Sequence, residues 1–280
     1  MTFLFNRIIE LQIGKAGEEG KIFRNLRIEF EVDKHRESTS NSGSISIYNL
    51  NKESRNLIND EGQKYQLRAG YAGFGQTPIL GVLSLGDVLG AETVRRGPDI
   101  ITKFRIGEAT KALAEKTLDK SYGEGATIKN IINDMASELE VAKGAIKGLK
   151  DLVFNSGYSA TGKIKDRLDE LAKKQDLEWS IQNGELQILP KDGSTDEEAI
   201  LLTKDTGLLK AYKSKSEKTG SSELKDITKF EALLNPDIKI GRLVHIVSKI
   251  NDIDEFVTVR RIKYMGDNKD GSFKCIGEAS

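Results

Sequence analysis

The chain has 280 residues, with 43 Lys+Arg against 43 Asp+Glu, two His and one Cys; 38% of it is hydrophobic and 31% charged. A zero formal charge excludes a nucleic-acid clamp of the usual kind, which shows a basic excess because each neutralised phosphate releases a counterion. The longest apolar stretches, such as Ala199–Leu202, fall far below the roughly 18 residues a bilayer span needs, and the lone Cys275 can make neither an internal disulfide nor a metal cluster.

The start, Met1-Thr2-Phe3-Leu4-Phe5-Asn6-Arg7, lacks a basic region, apolar run and small-residue cleavage site. It predicts a protein made and first kept in a cytoplasm, which the single cysteine fits. The first hundred residues read as strands. Leu26, Ile28, Phe30 and Val32 alternate with Arg27, Glu29, Glu31 and Asp33, the period of two that gives a strand one buried face. Around it the pattern predicts strands at Asn6–Ile13, Ser44–Tyr48, Tyr65–Tyr71, Ile79–Val88 and Thr93–Phe104, the last bent near Arg96-Gly97-Pro98-Asp99. One short helix interrupts them, from about Lys52 to Asn59, with Asn51 as its N-cap and Leu57 and Ile58 facing inward.

Between about Ala109 and Lys191 the period changes. Ile128, Ile131, Ile132, Met135 and Leu139 follow helical spacing behind the N-cap Thr127, and Ile164, Leu168, Leu171 and Ala172 repeat it after Ser159 and Thr161. Leu177–Gln182 and Glu185–Leu189 then flank Asn183-Gly184, a pair that favours a two-residue hairpin turn. The polar stretch from Pro190 to Asp196 reads as a linker. From about Ala199 strands return at Leu208–Lys215, Asp226–Leu234, Leu243–Ser248, Glu255–Tyr264 and Ser272–Glu278, with turns at Asn235-Pro236-Asp237 and Asp267–Gly271. The almost apolar-free interval Lys213–Lys225 is expected as a connection or an exposed strand extension. The segments therefore run β, then α+β, then β.

Each chemical motif has a plainer explanation. Gly157-Tyr158-Ser159-Ala160-Thr161-Gly162-Lys163 has the GxxxxGK spacing of a phosphate loop, but Ile164 stands where Ser or Thr would hold Mg²⁺, so a turn and helix start are expected. Gly70, Gly73 and Gly75 lead into Gln76-Thr77-Pro78 rather than a helix and suit a hairpin connection. His35 and His245 have no Cys, Asp or His at ligand spacing. Asp166, Asp169 and Glu170 lie beside Lys163, Lys165 and Lys173 on one helix, where i,i+3 and i,i+4 pairing accounts for them without a glycosidase pair. Trp179 and Tyr158 could stack on a sugar, but Trp179 alternates with Leu177 and Ile181 as a core residue; Cys275 reads as an inert buried thiol. The residues assign no catalytic, cofactor or metal site and leave interfaces unassigned.

The ordered segments resemble the baseplate hub proteins of contractile-tailed bacteriophages, the late control protein D-like family, which shares its fold with the base of type VI secretion spikes. The resemblance rests on Gly43-Ser44-Ile45-Ser46-Ile47-Tyr48-Asn49-Leu50, Leu67-Arg68-Ala69-Gly70-Tyr71, Gly157–Gly162 with Leu168-Asp169-Glu170-Leu171-Ala172, Trp179-Ser180-Ile181 with Asn183-Gly184, Leu234-Asn235-Pro236 with Gly241, Phe256-Val257-Thr258-Val259 and Gly266-Asp267. It implies an α+β, mainly β chain: a first tail-tube-like antiparallel β-barrel at 1–108, an α+β insert at 109–192 and a second β-barrel at 193–280. It also implies a homotrimer that joins a sixfold tail tube, or its initiator, to a threefold central spike and contacts baseplate wedge proteins. DNA would meet the chain only in transit through the lumen, with no cofactor, no catalysis and no membrane span. The virion part would be assembled in the host cytoplasm, and the spike would be a separate polypeptide because the chain ends after the second barrel. A wall hydrolase or peptidoglycan-binding module built on 109–191 is the rival expectation, and whether the particle is an infectious phage or a tail-like device stays open.

Overall fold

The computed structural model describes residues 6–73, 78–195, 198–217 and 224–280, so Met1–Phe5, Phe74–Thr77, Asp196 and Glu197, and 218–223 lie outside the described residues. The first segment holds β1 (Arg7–Lys15), β2 (Lys21–Phe23), β3 (Ile28–His35), β4 (Ser42–Tyr48), α1 (Lys52–Asn59), β5 (Gln63–Tyr71), β6 (Ile79–Arg96) and β7 (Asp99–Gly107). As expected, Asn51 caps α1, its Oδ1 accepting from the Ser54 amide at 2.8 Å, and Ile58 is buried while Leu57 is half-buried. The expected bent strand Thr93–Phe104 is instead the tip of a hairpin. Arg96 pairs with Asp99, and Gly97 at φ 60° supplies the positive dihedral that a two-residue turn requires.

The middle segment holds α2 (Thr110–Glu115), β8 (Thr117–Tyr122), β9 (Ala126–Thr127), α3 (Ile128–Glu138), β10 (Ala142–Ile146), β11 (Val153–Phe154), β12 (Tyr158–Lys163), α4 (Ile164–Lys174), β13 (Leu177–Gln182) and β14 (Glu185–Pro190). Thr127 caps α3 as expected, and Asn183 and Gly184 take φ 52° and 73° in the hairpin turn. Ser159 and Thr161 do not start α4. They lie in β12, which pairs with β8, and Lys163 is the residue before the helix, without a side-chain cap. The GxxxxGK stretch is thus a strand rather than a loop that could wrap a phosphate.

The last segment holds β15 (Ile200–Leu202), β16 (Leu208–Glu217), β17 (Leu224–Leu233), β18 (Leu243–Ser248), β19 (Ile253–Asp267) and β20 (Phe273–Ala279). The described parts of the Lys213–Lys225 interval are strand extensions of β16 and β17. The fold is mainly β. A 13-stranded sheet follows the open order β16-β17-β20-β19-β3-β4-β7-β6-β5-β1-β2, with β18 branching from β19 and β15 parallel to β18. Among the described residues this path does not close on itself.

Two apolar cores result. One runs through the first and last segments together, from Ile9 and Leu11 through Phe104 to Phe230 and Tyr264; the other gathers α3, α4 and β13 around Ile131, Met135, Leu168 and Trp179. In the shared core two phenylalanines lie over glycines of the neighbouring strand. Phe30 faces Gly266 and Phe230 faces Gly277, and a Cβ added at Gly277 would lie 2.2 Å from the Phe230 ring. Gly277→Val is therefore expected to lower stability by about 1–3 kcal/mol through overpacking. A chemical-denaturation midpoint equal to wild type would contradict this packing.

Candidate functional site

The run β16-β17-β20-β19-β3-β4-β7-β6 presents one face to the core and the other outward, because successive side chains of a strand alternate. On β3 the buried Ile28, Phe30 and Val32 leave Glu29, Glu31 and Asp33 outward; on β4 buried Ile45 and Ile47 leave Ser42, Ser44 and Ser46. The serines pair across to that acidic row on one side and to Gly107, Arg105 and Lys103 of β7 on the other. A row of small hydroxyls thus separates an acidic from a basic row. Farther along, Lys263 of β19 contacts Glu31 and lies 4.0 Å from Asp33, Arg261 pairs with Glu37 at 2.8 Å, Lys274 with Glu231 at 2.8 Å and Lys229 with Glu278 at 2.8 Å. Such partly exposed pairs add little stability, but they cancel one another's fields. Burial pushes the Asp33 carboxyl up, against the pull of Lys263.

Two edges of this run lack a strand partner among the described residues. β16 bonds only to β17, although Asn251 Nδ2 donates to one outward carbonyl, that of Ala211, at 2.5 Å. At the other end β6 bonds to β5 through Asp87, then a register shift at Val88/Gly90 carries its remaining length beyond β5, paired only with β7.

The middle segment is seated on the sheet by buried polar groups centred on Glu108, which is 1% exposed. Its carboxylate takes Lys34 Nζ at 2.8 Å, Asn41 Nδ2 at 2.7 Å, Ser84 Oγ at 3.0 Å and the Asn183 amide at 3.3 Å. Lys34 also donates to Leu83 O at 3.2 Å and to Asn183 Oδ1 at 2.7 Å, so all three of its protons are used. Burial pushes the Lys34 ammonium down, opposed by Glu108. Nearby, Arg36 donates to the carbonyls of Gly193 and Pro190, burial holding its guanidinium at about 10, and Arg260 grips both oxygens of Glu178 at 2.9 and 2.8 Å. A cavity of about 290 Å³ lies against the joint, lined by Lys34, Val82 and Tyr264 of the sheet, Gln182 and Asn183 of the hairpin, and Lys239. Apart from Asn183, read from the sequence only as a turn residue, none of these residues was singled out there. The available signal was lysine and arginine at the inward-facing end of the β3 alternation, at Lys34 and Arg36.

The residues that were singled out are engaged structurally. Asp169 accepts from Trp179 Nε1 at 2.8 Å, and Glu170 pairs with Arg167 and Lys174, both at 2.7 Å. Trp179 is a core residue as expected, while Tyr158 sits half-buried between Phe154 and Tyr122 at ring separations of 4.7 and 6.3 Å. His245 stacks on Phe256 at 4.0 Å with Nε2 2.6 Å from Asp254 Oδ1, and burial pushes the His35 imidazole down. Cys275 is fully buried, its thiol pushed up to about 12. No group of three or more His, Cys, Asp or Glu among the described residues is placed to hold a metal ion.

This fold is similar to that of solved tail proteins. The 43 kDa tail protein of prophage MuSo2 from Shewanella oneidensis superposes with a TM-score of 0.65 at 13% identity over 98% of both chains, and the tail protein of Neisseria meningitidis MC58 with 0.66 at 9% identity over 98% of this chain and 96% of that one. The c3393 protein of E. coli, a component of the type VI secretion system, superposes with 0.58 at 12% identity over 96% of this chain and 76% of its own. Among curated protein sequences none matches. The family described as baseplate hub gp41 matches residues 8–279, and the chain belongs to it. It is thereby a structural component of a virion tail.

Lys34→Met leaves Glu108 buried without its cation and is expected to cost about 3–5 kcal/mol, whereas Lys34→Met with Glu108→Leu recovers part of that loss. A urea-denaturation cycle reads both; a cycle without coupling would show that the pair does not carry the joint. Ellman's reagent at pH 8 is expected to leave Cys275 untouched in the native protein and to titrate one thiol after unfolding. Rapid reaction of the folded protein would contradict its burial.

Proposed function

We propose that the protein is the trimeric adaptor of the baseplate, joining a sixfold tail tube to a threefold central spike around a lumen for DNA, and that it acts without catalysis. Family membership carries the hub role. The threefold ring and its lumen rest on the outward sheet face, a broad polar wall on which basic groups stand beside acidic ones. DNA held by released counterions needs uncompensated cations; a wall of matched charges lets a duplex slide past. In this reading residues 1–108 and 193–280 are two tube-like units and 109–192 is the insert that docks neighbouring baseplate parts. Head-to-tail contacts that close give such a ring from one pair of surfaces, and permanent contacts of this kind bury roughly 2,000 Å² or more. The parts meet after synthesis in the host cytoplasm.

Native mass spectrometry of the purified chain, alone and with its spike protein, is expected to show trimers; a monomer in both samples would overturn the reading. Zymography on peptidoglycan is expected to show no clearing. Clearing abolished by an acidic-residue substitution within residues 109–191 would replace the adaptor with a wall hydrolase.

A further inference from the structure

The cavity of about 290 Å³ beside the joint is walled by all three segments: Val82 and Leu85 of β6, Asn183 at the hairpin turn and Gln187 of β14, and Lys239 and Ile240 of the loop before β18. The rest of its polar wall is already engaged. Lys34 spends its three protons on Glu108, Leu83 O and Asn183 Oδ1. Gln182 donates to the His35 carbonyl at 2.8 Å while its Oε1 accepts from Asn41 at 3.1 Å, and Tyr264 donates its hydroxyl to the Ile238 carbonyl at 2.6 Å. Three polar groups of the wall remain free.

Gln187 Oε1 is buried and accepts no hydrogen bond. Asn183 holds Lys34 through its Oδ1, which leaves the two protons of its Nδ2 without an acceptor among the described residues. Lys239 pairs with no carboxylate among the described residues; it is exposed between the buried Ile238 and Ile240, and its charge lies close enough to disfavour the Lys34 ammonium. The neighbouring acid does not cancel it. Glu185 turns its carboxylate to β10, where a Cβ added at Gly144 would lie 3.1 Å from Oε2. The cavity thus offers two donors, one of them a cation, and one acceptor, beside the apolar Val82, Leu85 and Ile240. Buried polar atoms without a partner are uncommon in native chains, so Gln187 Oε1 marks a place for a ligand, and the apolar side chains favour one with a non-polar part over water alone.

We propose that this cavity binds the C-terminal residue of a partner polypeptide, one that ends in an apolar side chain. A terminal carboxylate brings two acceptor oxygens, one for the Lys239 ammonium and one for Asn183 Nδ2. The N–H of the last peptide unit donates to Gln187 Oε1, and the side chain covers Val82, Leu85 and Ile240. An internal stretch of chain carries no charge for Lys239, and a phosphate carries no apolar part for that surface. A volume of about 290 Å³ stands at the small end of ligand sites, the scale of one residue and not of a folded partner. Alone, one residue binds weakly, with a Kd of about a millimolar. A tail tethered to a neighbour in the same assembly is presented at an effective concentration of about that size, so the weak site fills. The occupant touches all three segments at once and braces the angle that the Glu108 joint sets. The inference stands on the cavity and does not depend on the trimeric reading.

Isothermal titration calorimetry of the full chain with N-acetyl-L-leucine tests the proposal, because this probe carries a carboxylate, an amide N–H and an apolar side chain. Saturable binding at one site is expected. N-acetyl-L-leucinamide, which lacks the charge, is expected to bind about tenfold more weakly, and Lys239→Met to weaken N-acetyl-L-leucine binding about tenfold with an unchanged thermal midpoint, since Lys239 is exposed. Gln187→Leu is expected to weaken binding as well, by removing the acceptor for the amide. No saturation by about 10 mM probe, equal binding of the amide, or wild-type affinity in Lys239→Met would each overturn the proposal. Inorganic phosphate that binds where N-acetyl-L-leucine does not would make the cavity a plain anion site and overturn it too. None of these outcomes bears on the hub role.

Discussion

The pairing of β19 with β3 is the constraint on which the rest of the molecule depends. It joins residues more than two hundred positions apart in an antiparallel ladder, Arg261↔His35 to Asp267↔Glu29. Closing so long a loop costs little more than closing a short one, since the entropic term grows only with the logarithm of length. The return is large. The ladder fuses the cores of the first and last segments into one, with Phe30 over Gly266 and Tyr264 buried beside it, and it turns two short sheets into a single broad one. It also fixes where the middle segment can sit, because both ends of that segment leave from the same region of the sheet, at Glu108 and at Pro190 to Thr195.

The middle segment is held differently. Its own core is separate, and the groups between it and the sheet are charges and amides rather than aliphatic chains. Burying a cation and a carboxylate is expensive, and a well-packed apolar joint would often be at least as stable. What the Lys34–Glu108 pair adds is direction. A carboxylate that takes Lys34, Asn41, Ser84 and the Asn183 amide at once accepts them in one arrangement only, so the hairpin tip at Asn183-Gly184 is fixed in position and orientation relative to β3. For a part that must present several surfaces to different neighbours, a fixed angle between units matters as much as stability.

Much of this was legible in the sequence, for reasons that separate the successes from the failures. Strands with one buried face announce themselves: Ile28–His35 and Ser42–Tyr48 were visible as alternation, and the Asn183-Gly184 turn and the caps Asn51 and Thr127 follow from local chemistry. The short strands β2, β9, β11 and β15 and the short helix α2 have too few residues to show any period. β12 was read as a helix start because Ser159 and Thr161 are good caps, yet the chain needed them as the partner of β8, a long-range demand that no local rule contains. The joint was hidden for the same reason. Lys34 and Glu108 are unremarkable charges until the fold brings residues 34, 41, 84, 108 and 183 to one point.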